Sequence, residues 1–577
     1  MRIDLWGPLN KYDYDVSSCG ISAWNIAVVS GYSHSIAVSS IGCSNPLPIA
    51  IFDDGVMRPK VGPLSPFTGG DSLSFQDSTT LWTSRDKLTL NSSGAVAQES
   101  FTNFVDINLS RTTVSGKKVF VSGGNVLSAD PIGLESTMYF GFVGGDFTYN
   151  PQNNRVYFSG ATTGYVNLGI QEFNPDTSQL TGQWWITQPT ASFAACPAES
   201  SQLVTTGNIG FAMFTGDLAV SKYSDGGPVC IIPQSLIQPT SYSLPSVQPK
   251  GGTVRRFDLP ITSAVASADG QVFYVATSAA AANLGGQILT FDPNGGSLRS
   301  PAYVGSNPGL LTLSASGQSL FAQLYGAEAM VKLSLPSLTA QYRFPIVNKM
   351  GRLTTALEVE PLGALDDSLV ISQYNDGSPW ELIAVYDRGV KRQNTTKDWI
   401  YNPSDPSCLA DSFQLSTDGS TMWAMDTYTT PSCFSKWQIS ATGLSQTAAV
   451  TPRAGFQGMI ACQSGFCFTE GGTIINENSL AVVGAFGTFG AGIVPGTNWV
   501  LTDLASKRVF YVDSFGAIQV FGFDPANPAL TTTPLATYHI ANYSSSLNGA
   551  FRWKDELVVC ADAGIVMVPL SVMGLTP

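Results

Sequence analysis

Short apolar runs alternate with polar, glycine-containing turns along most of this chain, and the pattern is clearest in residues 263–346. Residues 264–276 combine an apolar strand, a polar turn with Asp and Gly, and a more hydrophobic strand, and residues 286–293 add a third strand. Residues 311–323 and 329–336 repeat this order. Units of strand, turn and strand that recur roughly every 40 to 50 residues are typical of β-propeller blades. The pattern therefore predicts an all-β fold.

The same unit can be followed along the whole chain, with five copies in the first part and seven in the second. Their approximate bounds are 24–58, 73–99, 105–134, 147–175, 202–237, two within 256–346, 352–394, 411–447, 455–482, 498–540 and 546–573. We therefore predict two tandem β-propellers of four-stranded blades. The first, 1–253, has five recognisable blades plus a partial one, and the second, 254–577, is seven-bladed.

The order of the units indicates an internal duplication. Residues 50–58, Ala-Ile-Phe-Asp-Asp-Gly-Val-Met-Arg, match residues 384–392, Ala-Val-Tyr-Asp-Arg-Gly-Val-Lys-Arg. Chance can produce one such match but does not keep five in the same order with nearly constant spacing. The four further matches pair 71–82 with 411–423, 119–124 with 467–472, 155–158 with 508–511, and 229–233 with 566–569.

The first residues of the chain resemble the middle of a unit, because residues 1–10 match 330–339, which begin at a third strand. A first propeller as complete as the second would need about 75 more residues upstream. Three arrangements satisfy this pattern. The sequence is incomplete at its N-terminus, a neighbouring molecule supplies the missing blades, or five blades and the N-terminal segment close a smaller ring.

Three segments resemble a known group of repeat proteins. Residues 31–39 (Gly-Tyr-Ser-His-Ser-Ile-Ala-Val-Ser), residues 51–59 and the turn at 267–275 (Ser-Ala-Asp-Gly-Gln-Val-Phe-Tyr-Val) are similar to secreted bacterial YVTN-type β-propeller repeat proteins. The resemblance covers nearly the whole chain, and its motifs mark blade geometry. It implies the propeller fold and an extracellular or cell-surface location, and it implies no particular reaction.

Composition narrows the range of partners. The 577-residue chain is 44% hydrophobic and only 12% charged, with a formal net charge of −13. No Lys/Arg stripe is present, which disfavours nucleic acid as a partner. No apolar run is long enough to predict a membrane span. The N-terminus lacks the apolar segment of a signal peptide, yet the low Lys content and the abundant Ser and Thr favour an exported protein.

Cysteine positions favour disulfides in an oxidising compartment, with at least one of the nine cysteines left over. Buried free thiols are the alternative. The candidate pairs lie on either side of hairpin turns or blade strands: Cys19 with Cys43, Cys408 with Cys433, and Cys462 with Cys467. Four sequons are N-glycosylation sites if the source modifies them: Asn91, Asn108, Asn394 and Asn542.

The sequence offers little for catalysis, and no catalytic, cofactor or metal site is predicted. The two histidines, His34 and His539, are interpreted as packed or surface side chains. The Asp53–Gly55 segment is interpreted as a tight turn, with a calcium-binding loop as the alternative. Trp184 and Trp185 form a candidate stacking platform for a sugar ring, although neighbouring residues of a strand face opposite sides.

These observations favour a non-enzymatic, secreted or cell-surface structural or interaction protein that self-assembles into filaments or layers. Its expected partners are proteins, as a homo-oligomer or filament. The alternative is an extracellular glycan- or protein-binding module. A propeller enzyme would need a central cluster of histidines, arginines and carboxylates. A chain with only two histidines can contribute little to such a cluster.

Overall fold

The chain divides into two compact units, Met1–Ser241 and Tyr242–Pro577. The structure is a computed structural model that describes most residues of the chain. These are 22–32, 34–41, 49–59, 72–101, 112–121, 124–138, 143–161, 168–176, 179–186, 209–214, 217–222, 229–232, 238–239, 253–277, 284, 286–304, 308–325, 328–348, 354–363, 365–374, 382–396, 412–425, 433–450, 459–486, 499–528, 533–541, 543 and 547–576.

The described part of the first unit contains five antiparallel sheets, of which three have four strands, one has five and one has three. The first three sheets are β1 Ser22–Val28, β2 Ser35–Ile41, β3 Ala50–Asp53, β4 Val56–Met57; β5 Ser74–Phe75, β6 Thr80–Trp82, β7 Asp86–Asn91, β8 Gly94–Ser100; and β9 Thr112–Ser115, β10 Lys118–Val121, β11 Asn125–Ala129, β12 Ile132–Thr137. The last two are β13 Val143–Asn150, β14 Arg155–Ala161, β15 Leu168–Asn174, β16 Gln179–Ile186 with β20 Gln238–Pro239; and β17 Ile209–Phe214, β18 Asp217–Lys222, β19 Val229–Ile232.

The described part of the second unit contains seven antiparallel sheets, all four-stranded. Six use consecutive strands: β22 Ile261–Ala266, β23 Phe273–Thr277, β24 Gln287–Phe291, β25 Leu298–Tyr303; β26 Pro308–Leu313, β27 Ser319–Leu324, β28 Ala329–Ser334, β29 Thr339–Pro345; β30 Ala356–Pro361, β31 Ser368–Gln373, β32 Leu382–Asp387, β33 Val390–Lys391; β34 Ser412–Leu415, β35 Thr421–Met425, β36 Phe434–Ser440, β37 Gly443–Val450; β38 Ile460–Gln463, β39 Phe466–Thr469, β40 Thr473–Asn476, β41 Val482–Ala485; and β42 Trp499–Asp503, β43 Arg508–Val512, β44 Ala517–Gly522, β45 Ala536–His539. The seventh is β46 Leu547–Trp553, β47 Glu556–Ala561, β48 Gly564–Pro569 with β21 Arg255–Phe257, and a 3-10 helix, Leu570–Met573, follows β48.

The core lies between neighbouring sheets. The second strands β23, β27 and β31 are buried along their whole length, since both of their faces are covered. Outer strands such as β29 and β37 are largely exposed. Between the first and last sheets of the second unit, Phe273 meets Trp553 edge to face, with ring centroids 5.4 Å apart. Continuous apolar runs therefore form the middle strands, and mixed runs form the outer ones.

The first strands of the second unit lie next to one another in sequence order. β22 contacts β26, and the order continues through β30, β34, β38 and β42 to β46, which contacts β22. The N-terminal strand β21 completes the last sheet by pairing with β48, with Arg255 opposite Met567 and Phe257 opposite Ile565. The two ends of the second unit are therefore joined by backbone hydrogen bonds.

One carboxylate links the sheet β1–β4 to the sheet that follows it. Asp53 accepts a hydrogen bond from Ser35 Oγ at 2.5 Å and two from Arg58, through Nε at 2.7 Å and Nη2 at 2.9 Å. Arg58 Nη1 also donates to the main-chain oxygen of Asn91, at the end of β7, at 2.7 Å. The bond from Arg58 is the main cause of a lowered pKa of Asp53.

The sheet β30–β33 repeats this arrangement. Asp387 accepts from Ser368 Oγ at 2.5 Å and from Arg392 Nε and Nη2 at 2.7 Å and 2.8 Å. Arg392 Nη1 donates to the main-chain oxygen of Ser440, at the end of β36, at 2.7 Å. The duplication found in the sequence therefore extends to the side-chain contacts between sheets.

The predicted all-β fold is confirmed, and ten of the twelve described sheets have the predicted four strands. The described sheets follow the order of the predicted units. The strand Arg255–Phe257 was not predicted as a partner of the last sheet, because β48 lies about 300 residues later in the chain. Such a pairing leaves no local pattern in a sequence.

Candidate functional site

A cavity of about 630 Å³ in the second unit is lined by residues in or beside the first strands of all seven sheets. This volume is in the range of sites for small ligands. The apolar part of the lining includes Leu310, Leu311, Leu357, Val359, Met459, Trp499 and Phe551, and the polar part consists of Ser263, Glu358, Glu360, Ser412, Glu470, Asn548 and Arg552.

Register shifts near the start of four of these strands, β22, β26, β30 and β46, shape one end of the cavity. A bulge of this kind redirects side chains and is common beside binding sites. Within β22, Thr262 Oγ1 donates to the main-chain oxygen of Pro308 in the next sheet, at 2.5 Å. In β46, Asn548 Nδ2 donates to the main-chain oxygen of Ile261 at 2.8 Å and to Asp562 at 2.7 Å. The shifted residues thus hold neighbouring sheets together around the cavity.

Two glutamates on β30 accept hydrogen bonds from the backbone edge of β34. Alternation places Glu358 and Glu360 on the same face of the strand. Glu358 Oε2 accepts the backbone N–H of Phe413 at 2.9 Å, and Glu360 Oε2 accepts that of Leu415 at 2.9 Å. Glu360 Oε1 accepts from the side-chain amide of Gln414 at 2.7 Å. The carboxylates therefore satisfy edge N–H groups that would otherwise be buried without partners.

Burial raises the pKa of Glu360 to about 8, and the N–H of Leu415 opposes the shift only in part. Burial also lowers the pKa of Arg552, and the nearby Asp503, whose Oδ2 lies 3.6 Å from Arg552 Nε, acts in the opposite direction. Burial thus shifts the pKa values of two ionisable groups in the cavity lining, those of Glu360 and Arg552.

Of the six candidate disulfide cysteines, Cys462 and Cys467 form a disulfide across the β38–β39 hairpin, with their Cα atoms 4.0 Å apart. Cys433 is buried and disulfide-bonded. Cys560 is a free, buried thiol whose pKa is raised by burial to about 12, so it is unreactive. Three candidates lie outside the described residues: Cys19, Cys43 and Cys408.

Two sequons lie on the described surface. Asn91 is exposed, and its side-chain oxygen accepts from Ser93 N at 2.9 Å and Ser93 Oγ at 2.6 Å. Asn394 is exposed and donates to Thr442 Oγ1 at 3.3 Å. Glycosylation at either position stays a prediction. Asn108 and Asn542 lie outside the described residues.

Trp184 and Trp185 lie on β16, opposite Ile170 and Gly169. Their side chains lie outside the described part of the structure, so the stacking platform stays a prediction.

Both histidines lie on exposed strand ends or turns. His34 Nδ1 lies 2.8 Å from Asp54 Oδ1, and His539 ends β45. Gly55, next to Asp54, has φ +88°, which supports the interpretation of this segment as a tight turn. Within the described ranges, no group of three or more His, Cys, Asp or Glu side chains is placed to hold a metal ion.

The cavity glutamates, Glu358, Glu360 and Glu470, were not predicted from the sequence. The signal was present, because two carboxylates at alternate positions interrupt an otherwise apolar strand, Ala356–Pro361. The strand alone does not show which face of a sheet these positions take, and the partners Phe413 and Leu415 lie on another sheet.

Comparisons with known proteins leave the family open. No family model matches the chain, and no curated protein does. Among solved structures, dihydro-heme d1 dehydrogenase NirN in complex with DHE is similar at 12% identity and a TM-score of 0.36, over 67% of this chain and 74% of that one. A mitotic checkpoint complex structure is similar at 13% identity and a TM-score of 0.39, over 57% of this chain and 93% of that one. Likenesses of this size carry no conclusion about function, and the YVTN-type resemblance stays a prediction.

A membrane-spanning helix was not predicted. In the parts of the chain that the structure describes, no helix has the length and apolar character needed to cross a bilayer.

Proposed function

We propose that this chain is a non-enzymatic structural or interaction protein of tandem β-propellers, secreted or at the cell surface, that binds further copies of itself in filaments or layers. In this proposal the second unit is a closed seven-bladed ring. Its support is the order of its first strands, from β22 round to β46 and back, together with the β21–β48 pairing.

The proposal rests on two features that both copies of the duplicated sequence share. Both retain the Ser–Asp–Arg link between consecutive sheets, which stiffens the body of the molecule. Both also present an exposed valine at the equivalent position of a two-residue outer strand. Val56 on β4 is 71% exposed, and Val390 on β33 is 70% exposed. A rigid body with repeated apolar positions on its outer strands suits lateral packing.

Light scattering and electron microscopy of the purified chain test the proposal. We expect oligomers or filaments at micromolar concentration, and we expect the double variant Val56→Asp, Val390→Asp to remain monomeric. The control is Phe515→Ser, since Phe515 is equally exposed, at 70%, but lies on a turn away from the outer strands. A chain that is monomeric throughout, or a double variant that assembles normally, would overturn the proposal.

A glycan- or protein-binding module is the second candidate, favoured by the cavity of the second unit with Trp499 and Phe551 in its lining. A glycan array addresses the glycan form of this alternative. Loss of glycan binding in Trp184→Ala or Trp185→Ala would place the binding site on β16. Glycan binding that neither substitution affects would favour the cavity as the binding site.

A further inference from the structure

We propose that two copies of this chain meet at the outer edge of strand β37, Gly443–Val450, where their β37 strands pair antiparallel about a two-fold axis. This inference rests on the proposed self-assembly and goes further, since it names a surface through which copies meet.

The outer edge of β37 has the properties of a strand-pairing surface. β37 is the last strand of the sheet β34–β37, so one of its edges has no partner within that sheet. Its eight residues, Gly-Leu-Ser-Gln-Thr-Ala-Ala-Val, include neither a charged residue nor a proline. Four of them are exposed: Ser445, Thr447, Ala448 and Ala449. A long, uncharged and accessible edge offers backbone N–H and C=O groups to a further strand.

The other described outer strands of the second unit carry features that discourage such pairing. β25 contains Arg299 and Pro301, and β29 contains Arg343 and Pro345. The remaining four have only two to four residues each: β21, β33, β41 and β45. Short length, charge and proline all hinder the pairing of one sheet edge with another. Among these outer strands, β37 is therefore the one best suited to pair with a further strand.

The first unit contains an outer strand that accepts a fifth strand. β20, Gln238–Pro239, pairs antiparallel with β16 through Gly182 and Gln183. These two residues directly follow the register shift between β15 and β16. A bulge in an outer strand of this chain therefore does not prevent a further strand from pairing beside it.

β37 has the same local structure as β16 at this point. The residue that the register skips is a threonine in both strands. Thr181 Oγ1 donates to the main-chain oxygen of Glu172 on β15 at 3.2 Å, and Thr447 Oγ1 donates to that of Lys436 on β36 at 3.1 Å. The residues after the bulge, which pair with β20 in the first unit, correspond to Ala448–Ala449 in β37.

Charge favours a second copy of the chain as the occupant of this edge. The chain has a formal net charge of −13, so two copies repel each other where their charged surfaces meet. In an antiparallel pairing about a two-fold axis, each β37 lies opposite another β37. No like charges then face each other, because the strand has no charged residue.

The edge of β37 adjoins the exposed valine of β33. Asn394, three residues beyond β33, accepts the N–H of Leu444 at 2.9 Å and donates its own N–H to the main-chain oxygen of Thr442 at 2.8 Å. This bridge occupies the start of β37 and leaves the residues after Leu444 for the second copy. Val390 lies on the outer strand of the preceding sheet, so a charge introduced there would lie on the same side of the molecule as the edge.

Hydrogen exchange with mass spectrometry of the full chain, at low and at high micromolar concentration, locates the contact. We expect the amides of β37 to exchange more slowly at the higher concentration and those of β29 to be unchanged. Sedimentation velocity should show a dimer as the first assembly, since a two-fold contact closes on itself.

The decisive variant is Ala448→Lys, which introduces like charges into the contact and should weaken dimer formation roughly fivefold or more. Ser445→Lys provides a second variant on the same exposed edge. The control is Ala340→Lys, because Ala340 is also an exposed alanine of an outer strand, β29.

Three outcomes would overturn the inference. Assembly without slower exchange in β37, or equal weakening in Ala340→Lys, would remove the β37 contact and leave the proposed self-assembly in place. A chain that is monomeric throughout would overturn both. Slow exchange in β37 that does not depend on concentration would show that another segment of the same chain covers the edge.

Discussion

The sheets β1–β4 and β30–β33 occupy equivalent places in the duplicated chain, and they agree in some contacts and differ in others. Their hairpin turns match, with Asp54 and Gly55 at φ +46° and +88°, and Arg388 and Gly389 at φ +49° and +83°. Both sheets also link to the next sheet through an aspartate and an arginine. The two sheets therefore agree at the residues that fix the backbone path of the hairpin and the packing of one sheet against the next.

The difference lies on the first strands, at the positions that face the cavity in the second unit. Glu360 accepts the N–H of Leu415, whereas its counterpart Ala27 packs against an apolar cluster that includes Leu73 and Leu81. One sheet farther along the first unit, neutral hydroxyl groups accept the edge N–H groups, with Ser72 Oγ 2.9 Å from Thr112 N. In both units a side chain of the neighbouring sheet thus accepts the edge N–H groups, a hydroxyl group in the first unit and a carboxyl group in the second.

The largest effect should come from the glycine that meets the linker after β33. A Cβ at Gly443 would lie 2.0 Å from the main-chain oxygen of Asn394, and its φ is +120°. Gly443→Ala should therefore lower the free energy of unfolding of the second unit by about 3 kcal/mol. Hydrogen exchange with mass spectrometry reads this loss unit by unit.

Gly465→Ala is the matched control for that substitution. Gly465 also has positive φ, +90°, but no atom lies within 4 Å of an added Cβ. Gly465→Ala therefore introduces backbone strain without a steric clash, so we expect the free energy of unfolding to fall by about 1 kcal/mol. Equal losses at the two positions would contradict the close approach of Gly443 and Asn394.

Removing the arginine of the shared link should affect both units alike. Arg58→Met and Arg392→Met each leave an aspartate without its main partner, and each should cost about 2 kcal/mol in the unit concerned. The control is Arg388→Met, since Arg388 is 78% exposed and its pair with Asp367 is expected to contribute less than about 0.5 kcal/mol. A large effect in only one unit would show that the duplicated contact is not equivalent in energy.

The pH dependence of stability should separate the two units. Asp53 and Asp387 have lowered pKa values in the folded state, so their stabilisation is present above the ordinary Asp pKa and is lost as pH falls below it. Glu360 has a raised pKa of about 8, so its contribution is full below the ordinary Glu pKa and is lost as pH rises to 8.

Only the second unit should therefore lose stability through the ionisation of Glu360 between about pH 4.5 and pH 8, by about 1 to 2 kcal/mol after allowance for solvent screening. Hydrogen exchange at pH 5 and pH 8, corrected for the intrinsic exchange rate, measures the difference. Glu360→Gln should remove the decline in the second unit and leave the first unit unchanged. A decline that persists in the variant would assign it to another group.

The smallest effects concern two lysines that each lie over a tryptophan. Lys87 Nζ lies 5.5 Å from the centre of the Trp82 ring and donates to the main-chain oxygen of Ala129 at 3.0 Å. Lys436 makes the equivalent contacts more loosely, at 5.9 Å from the Trp423 ring and 3.5 Å from the oxygen of Glu477. Lys87→Met should cost about 1 kcal/mol and Lys436→Met about half of that. The reverse order in thermal unfolding would contradict the role of these distances.

The sequence predicted the units and their order because each hairpin is local. Residues 264–276 contain the strand, turn and strand that the structure forms as β22 and β23, with Gly270 at φ +63° in the turn. The alternation of apolar and polar residues, the Asp–Gly turns and the runs of β-branched residues all lie in consecutive residues. Their repetition along the chain therefore also showed the duplication. The side-chain link of Asp53 to Arg58 lies within one such hairpin, and its second copy was visible as a sequence match.

The tertiary structure alone decided which distant residues meet. The sequence could not show that Arg255–Phe257 pairs with β48, or that Glu360 lies beside Leu415 in a cavity, because both contacts join residues far apart along the chain. A short strand can form from its local sequence wherever its sheet lies in the fold. The local pattern of the sequence therefore determines the strands of each blade. Burial, the pKa of Glu360 and the cavity depend on the packing of one sheet against the next, and only the folded chain establishes that packing.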